Sequence, residues 1–195
     1  MSNSHTDKWE TLYCAAEKAF ALGNLVEAEG LWLSALELAE DEGASSIRLT
    51  TTLENLAETL WFQKKFSCAA PVMRRLLRIY LENYGAGHFH VGIIANNTAM
   101  LYHAWGKLQE AEPFYLQAYE IKRRTFGEGH TEVLTLLNNY YGLLQGLSRE
   151  EEARSLHEYI QQLKESGSRK TTEMHAPSGI TGTVGRHSPD IAPAV

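Results

Sequence analysis

Asn55, Asn97 and Asn139 stand 42 residues apart (97 − 55 and 139 − 97). Ala69, Ala111 and Ala153 keep the same step, as do the pairs Pro71 with Pro113 and His88 with His130. A fixed period across most of a chain means one supersecondary unit copied and stacked, each copy burying a face that its neighbour covers. It points to a solenoid before any helix is assigned. It also bounds the function, because stacked repeats present surfaces to partners more often than they enclose active sites.

The third copy reads most clearly. HVGIIANNTAMLYHAWG, residues 90–106, has apolar residues at helical spacing and ends on Gly106, which takes positive φ at little cost. A second helical stretch, KLQEAEPFYLQAYEIKRRTFG, follows to Gly127. Ala99, Ala111 and Ala118 would let this pair approach closely, with Tyr102, Leu108 and Tyr115 filling the space between. The second copy matches, with Leu53, Leu56, Ala57 and Leu60 in its first helix and Phe66, Ala69, Met73 and Leu76 in its second. The fourth has VLTLLNNYYGLLQG and then SREEEARSLHEYIQQLKE. The first copy is one residue shorter (69 − 28 is 41), with Ala16, Gly23, Ala28, Trp32 and Ala35 in the expected places. Pro71 and Pro113 fall near the start of each second helix, where a missing N–H costs less. The loops GAGHFHV and GEGHTEV read as matched joints in which glycines turn the chain and His88 and His130 bond freed backbone groups.

The segments Ala95-Asn-Asn-Thr-Ala99, Gly106-Lys-Leu-Gln-Glu-Ala-Glu-Pro-Phe-Tyr115 and Phe126-Gly-Glu-Gly-His130 carry a resemblance to the tetratricopeptide repeat. The similarity is to its 42-residue form, found in kinesin light chains and many bacterial proteins. The resemblance implies an all-α, right-handed solenoid of about four helix-turn-helix repeats over residues 7–165, at about 7–42, 47–84, 89–127 and 131–165. Residues 1–6 are read as a flexible start. Residues 166–195, rich in Gly, Ser, Thr and Pro, are read as a disordered tail too poor in apolar residues to offset the entropy of ordering.

Composition removes several functional classes. Hydrophobic residues at 44% with charged residues at 22% are globular proportions, and no apolar run approaches the ~18 residues a bilayer requires. The first residues show no basic and then apolar leader, so a cytoplasmic protein is expected. A net charge of −6 argues against nucleic acid, whose nonspecific binding is driven by phosphate neutralisation. Cys14 and Cys68 cannot form a disulfide framework; lying inside helical patterns, they are expected to be buried, reduced thiols. No H-E-x-x-H, Gly-rich phosphate loop or nucleophile motif is present. His88 and His130 are equivalent loop positions, which accounts for them without a metal. No enzyme activity, metal or cofactor is expected.

In the resembling family the first helices of each pair line the groove. Carried onto this chain, the groove residues are Tyr13 from the first copy and Glu54, Asn55, Glu58 and Trp61 from the second. The third contributes Asn96, Asn97, Met100 and His103, and the fourth Asn138 and Asn139. An amide offers both donor and acceptor, so a ladder of Asn55, Asn97 and Asn139 suits an extended peptide backbone. At a helix spacing of about 8–10 Å three rungs span roughly 20 Å, about six strand residues. The alternative is that these amides bond the neighbouring repeat, since buried polar groups are paired somewhere.

Charge sharpens this reading. No Lys or Arg occurs in residues 49–63, 90–106 or 131–148, whereas Arg74, Arg75, Arg78, Lys122, Arg123 and Arg124 crowd the second helices. The predicted groove is neutral to acidic, unlike the carboxylate-clamp members or the cargo groove of kinesin light chains, both of which need basic groups. The expectation is a protein-interaction module, an adaptor or scaffold that takes an extended, basic or apolar segment, with no nucleic-acid or membrane partner. The alternative is a structural subunit that self-associates through exposed repeat ends, using the stripe Tyr159, Ile160 and Leu163 on the last helix.

Overall fold

The computed structural model describes residues 3–41 and 47–174. Among these residues there are eight helices and no strands: α1 (Asn3–Ala21), α2 (Leu25–Glu40), α3 (Ile47–Phe62), α4 (Phe66–Tyr84), α5 (Phe89–Ala104), α6 (Leu108–Phe126), α7 (Thr131–Gly146) and α8 (Glu150–Met174). The ends of α3, α5 and α7 are related by the 42-residue step, as are those of α4 and α6, and α8 begins in phase. α1 takes in residues 3–6, and α8 continues from 165 to Met174. The remainder of the expected tail, residues 175–195, lies outside the described residues.

Each helix packs on the next in chain order, giving an all-α tetratricopeptide-like solenoid. Small residues make the close approach possible. Ala28, Ala69, Ala99, Ala111 and Ala118 are wholly buried at helix crossings, beside Trp32, Leu76 and Tyr115. Burying such large side chains is worth roughly 1.5–3 kcal/mol each, which is what holds neighbouring repeats together. α5 and α6 come close enough that a Cβ on Gly92 would stand 2.8 Å from Ile121 Cγ2.

The turn inside each pair is the same object four times. Gly23, Lys64, Gly106 and Ser148 hold φ of 79°, 57°, 79° and 57°. The next residue's N–H donates to a carbonyl five residues back, as Lys107 does to Tyr102 at 2.8 Å and Lys65 to Leu60 at 2.9 Å. This is the left-handed helix end that glycine favours, here occupied twice by residues with a side chain. The joints between pairs also repeat. Gly85 and Gly127 turn at φ of 82° and 86°. His88 and His130 then cap α5 and α7, their Nδ1 atoms accepting from the N–H of His90 at 3.3 Å and of Glu132 at 3.2 Å. Each imidazole stacks on the aromatic residue that ends the previous helix, Tyr84 at 4.7 Å and Phe126 at 4.6 Å between centroids. Pro71 and Pro113 are absorbed without a break in α4 or α6.

Polar contacts between repeats are less uniform than the helices. At the first joint Lys65 Nζ donates to Glu29 at 2.6 Å, and Gln63 Nε2 donates to the same carboxylate at 2.8 Å and to the Leu25 carbonyl at 3.1 Å. At the third joint the equivalent pair is Arg149 with Glu112, at 2.6 Å, joined by Tyr140 Oη at 2.8 Å. At the middle joint Ala70 occupies the acidic position. The equivalent cation, Lys107, turns to Glu110 at 4.0 Å and over the Trp105 ring at 5.7 Å.

Two expectations are corrected. Cys14 and Cys68 are exposed, not buried. Each is one or two positions from a buried alanine, Ala16 and Ala69, and a step of about 100° per residue carries it off the buried face. The stripe on α8 is not an open apolar face: Ile160 is fully buried against Val133 and Leu137 of α7, with Tyr159 and Leu163 packed on the same cluster. The helix spends its apolar side on its own partner.

Candidate functional site

Because consecutive helices interlock through alanine, the faces of α3 and α5 that carry longer polar side chains are left open between them. A cavity of about 570 Å³ lies there, bounded by α3, α4 and α5. α3 contributes Glu54, Ala57, Glu58 and Trp61; α4 contributes Met73, Leu76 and Tyr80; α5 contributes His90, Ile93, Ile94, Asn97, Met100 and Leu101. The volume suits a small ligand or a short run of side chains.

The cavity is stratified. Ala57, Met73, Leu76, Ile94 and Leu101 are buried and form an apolar floor. Trp61, Tyr80, Ile93 and Met100 are half-buried walls, and Glu54, Glu58, His90 and Asn97 stand exposed at the rim. Tyr80 Oη donates to Glu54 Oε1 at 2.8 Å, tying α4 to α3 across one side of the opening. Burial, reinforced by that carboxylate, holds the Tyr80 phenol well above its ordinary range, so it stays a neutral donor. Trp61 is set edge-on by Phe66 at 5.5 Å, and His90 meets Tyr80 edge-on at 5.8 Å. Among the described residues Glu58 has neither a hydrogen-bond nor an ion-pair partner, and no Lys or Arg lines the cavity.

Of the residues expected from sequence, Glu54, Glu58, Trp61, Asn97 and Met100 are brought together here. The others stand elsewhere. Tyr13 stacks on Trp9 at 5.1 Å and donates to Glu17 one turn on; that bond, with burial, raises its phenol to about 12. Asn55 and Asn138 donate to the carbonyls of Thr51 at 3.0 Å and Leu134 at 2.7 Å, each in its own helix. Asn96 Nδ2 reaches Met100 Sδ at 3.4 Å, and its Oδ1 is buried without a partner. His103 faces α6, its Nδ1 3.2 Å from Tyr115 Oη, and burial lowers its pKa. Asn97 and Asn139 have no hydrogen-bond partner among the described residues. No rung of the ladder thus bonds a neighbouring repeat among those residues, and the three side chains are not gathered into one cavity.

Sequence reasoning missed the contribution of α4. Met73 and Leu76 follow one another at a spacing of three, the signature of a buried helix face, and were placed among the apolar residues of the second helix; Tyr80, four residues on, was not singled out. Tyr80 betrays the difference, since a tyrosine at the end of such a stripe carries its hydroxyl to a polar edge. His90 was masked by its neighbour His88, whose capping role is the repeating one.

The tetratricopeptide-repeat family profile matches residues 69–124 and 90–163. No protein of curated function matches the chain in sequence. Among solved structures, the Podosopora anserina putative kinesin light chain with nearly identical TPR-like repeats is similar with a TM-score of 0.75. It is 18% identical, over 87% of this chain and 81% of that one. BtubC (BKLC) from P. vanneervenii is similar at 0.69, also with 18% identity, over 90% of this chain and 68% of that one. The apo form of RapI is similar at 0.67 with 13% identity, over 86% and 59%. At these identities the likeness is one of fold.

Proposed function

Because the chain belongs to the tetratricopeptide-repeat family, in its 42-residue kinesin-light-chain-like form, we propose that it acts as a protein-interaction module, an adaptor or scaffold without catalytic activity. Its partner presents an extended, non-acidic segment that runs along the open faces of α3 and α5. The observation that carries this reading is the cavity between those helices: an apolar floor under a rim with two carboxylates and no Lys or Arg. An acidic segment there would face Glu54 and Glu58 with no Lys or Arg beside them to offset the repulsion. Asn97, exposed at the rim and unengaged among the described residues, is free to pair with a passing backbone. No helix of the described residues is long and apolar enough to cross a membrane. We place the protein in the cytoplasm on its composition and on the free, exposed thiols of Cys14 and Cys68.

The test is site-specific photocrosslinking in cells. A benzophenone side chain at Ile93, on the wall of the cavity, is expected to capture a partner, and the same group at Leu116, exposed on α6, is not. Replacing Asn55, Asn97 and Asn139 by Ala together is expected to weaken that capture without lowering the melting temperature. Equal capture from both positions, or loss of fold in the triple variant, would refute the reading.

A further inference from the structure

We propose that the cavity between α3, α4 and α5 is an arginine pocket: it selects an Arg side chain of the bound segment, next to an apolar residue that fills the floor. The inference rests on the groove reading above and names what that groove recognises.

The shape of the cavity asks for an amphipathic side chain. Its floor is closed by Met73, Leu76 and Leu101, all buried, so whatever reaches down must be apolar. Its rim carries Glu58, which has no partner among the described residues, and Glu54, whose Oε1 is already taken by the Tyr80 hydroxyl. A free carboxylate above an apolar wall is complementary to a side chain whose stem is hydrocarbon and whose tip is a cation.

Arginine fits better than lysine. A planar guanidinium pairs with one carboxylate through two parallel N–H bonds and lies flat on an aromatic face, whereas ammonium is a strongly hydrated point charge. Trp61 supplies such a face on the wall of the cavity, within the same helical turn as Glu58. The volume of about 570 Å³ exceeds one side chain, which leaves the floor for an apolar neighbour in the ligand. Repulsion completes the selection, because an acidic side chain in either position meets Glu54 and Glu58 with no Lys or Arg in the cavity to relieve it.

The experiment is selection of a random twelve-residue peptide display library on the purified full chain, repeated on a Glu54→Lys, Glu58→Lys variant. The expected pool from the parent chain is enriched in Arg over Lys beside Leu, Ile, Met or an aromatic residue. A peptide from it should lose about tenfold to a hundredfold in affinity on Glu58→Gln, as expected for a charge-assisted hydrogen bond. The doubly reversed variant, with unchanged helicity, should select acidic residues in place of Arg. A pool that binds the parent chain and is lost on Met100→Glu, but shows no preference for Arg or no dependence on Glu58, overturns the arginine pocket and leaves the groove reading standing. Failure of any peptide to enrich overturns both.

Discussion

The fourfold turn offers a clean measurement of backbone strain. Lys64 and Ser148 hold the left-handed conformation that Gly23 and Gly106 hold at equivalent positions. For a residue with a Cβ that conformation costs roughly 1–2 kcal/mol. Both side chains are exposed and neither bonds another described residue, so Lys64→Gly and Ser148→Gly remove the strain and no contact. Glycine gives back about 0.4–1 kcal/mol through the extra freedom of the unfolded chain. The net gain is then about 0.5–1 kcal/mol per site, or roughly 1–4 °C in melting midpoint for a chain of this length. The sites are in different repeats, so the double variant should gain the sum. The control runs the other way. A Cβ added at Gly23 or Gly106 meets nothing within 4 Å, so Gly106→Ala changes conformational energy alone and should lose about 1 kcal/mol. Thermal melts followed by circular dichroism at the helix band read all four. If Lys64→Gly melts with the parent chain and Gly106→Ala does too, the left-handed turn stores no strain and the reasoning is refuted.

Three further outcomes are expected. Gly92→Ala drives a methyl group to 2.8 Å from Ile121, a buried β-branched side chain with little room to turn; it should cost about 1–3 kcal/mol by chemical denaturation, and Gly30→Ala, with open space around it, should not. Glu132→Ala removes the partner of the buried Lys122 ammonium, 2.7 Å away, and should lower stability by about 1–2 kcal/mol, while Lys122→Met should cost less because no uncompensated charge remains. Glu29 feels burial, which raises its pKa, but the bonds from Lys65 and Gln63 and the Lys65 charge outweigh it and leave the carboxyl below its ordinary value. A carboxyl lowered on folding stabilises above its unfolded pKa and loses that contribution as pH falls through the folded one; an acid titration should therefore destabilise the parent chain below about pH 4.5 more than it does Glu29→Gln.

The fold was open to reading because its signals are local and repeated. A buried alanine at 28, 69, 111 and 153, a turn five residues before it and a capping histidine at 88 and 130 each constrain the chain within a few residues, and recurrence removes the ambiguity of any one copy. The site was open only in part. Glu54, Glu58, Trp61, Asn97 and Met100 share the exposed side of first helices, which periodicity can locate. Tyr80 and Met73 enter the same cavity from a second helix, and that depends on how far α4 leans toward α5, a tertiary quantity no spacing encodes. The stripe on α8 shows the converse limit. Tyr159, Ile160 and Leu163 read as unpartnered because no further repeat is legible in the sequence after them, yet α7 has apolar surface to spare and takes Ile160 completely. Asn138 lies outside the cavity, its amide nitrogen donating to the Leu134 carbonyl one turn back.

The three joints between repeats do not answer to the same solvent. The first and third are clasped by a cation on a carboxylate, Lys65 on Glu29 and Arg149 on Glu112, with both partners in part open to water. The second, where Ala70 stands, has no carboxylate at the equivalent position, and its cation, Lys107, turns to Glu110. Added salt shortens the reach of the two outer clasps, from about 10 Å of screening length at 0.1 M to about 3 Å at 1 M. The same salt, if it is a sulfate or phosphate, strengthens apolar burial. A sulfate or phosphate salt therefore weakens the first and third clasps while strengthening the apolar core that runs through all three joints, and the middle joint, which frames the cavity, has no such clasp to lose.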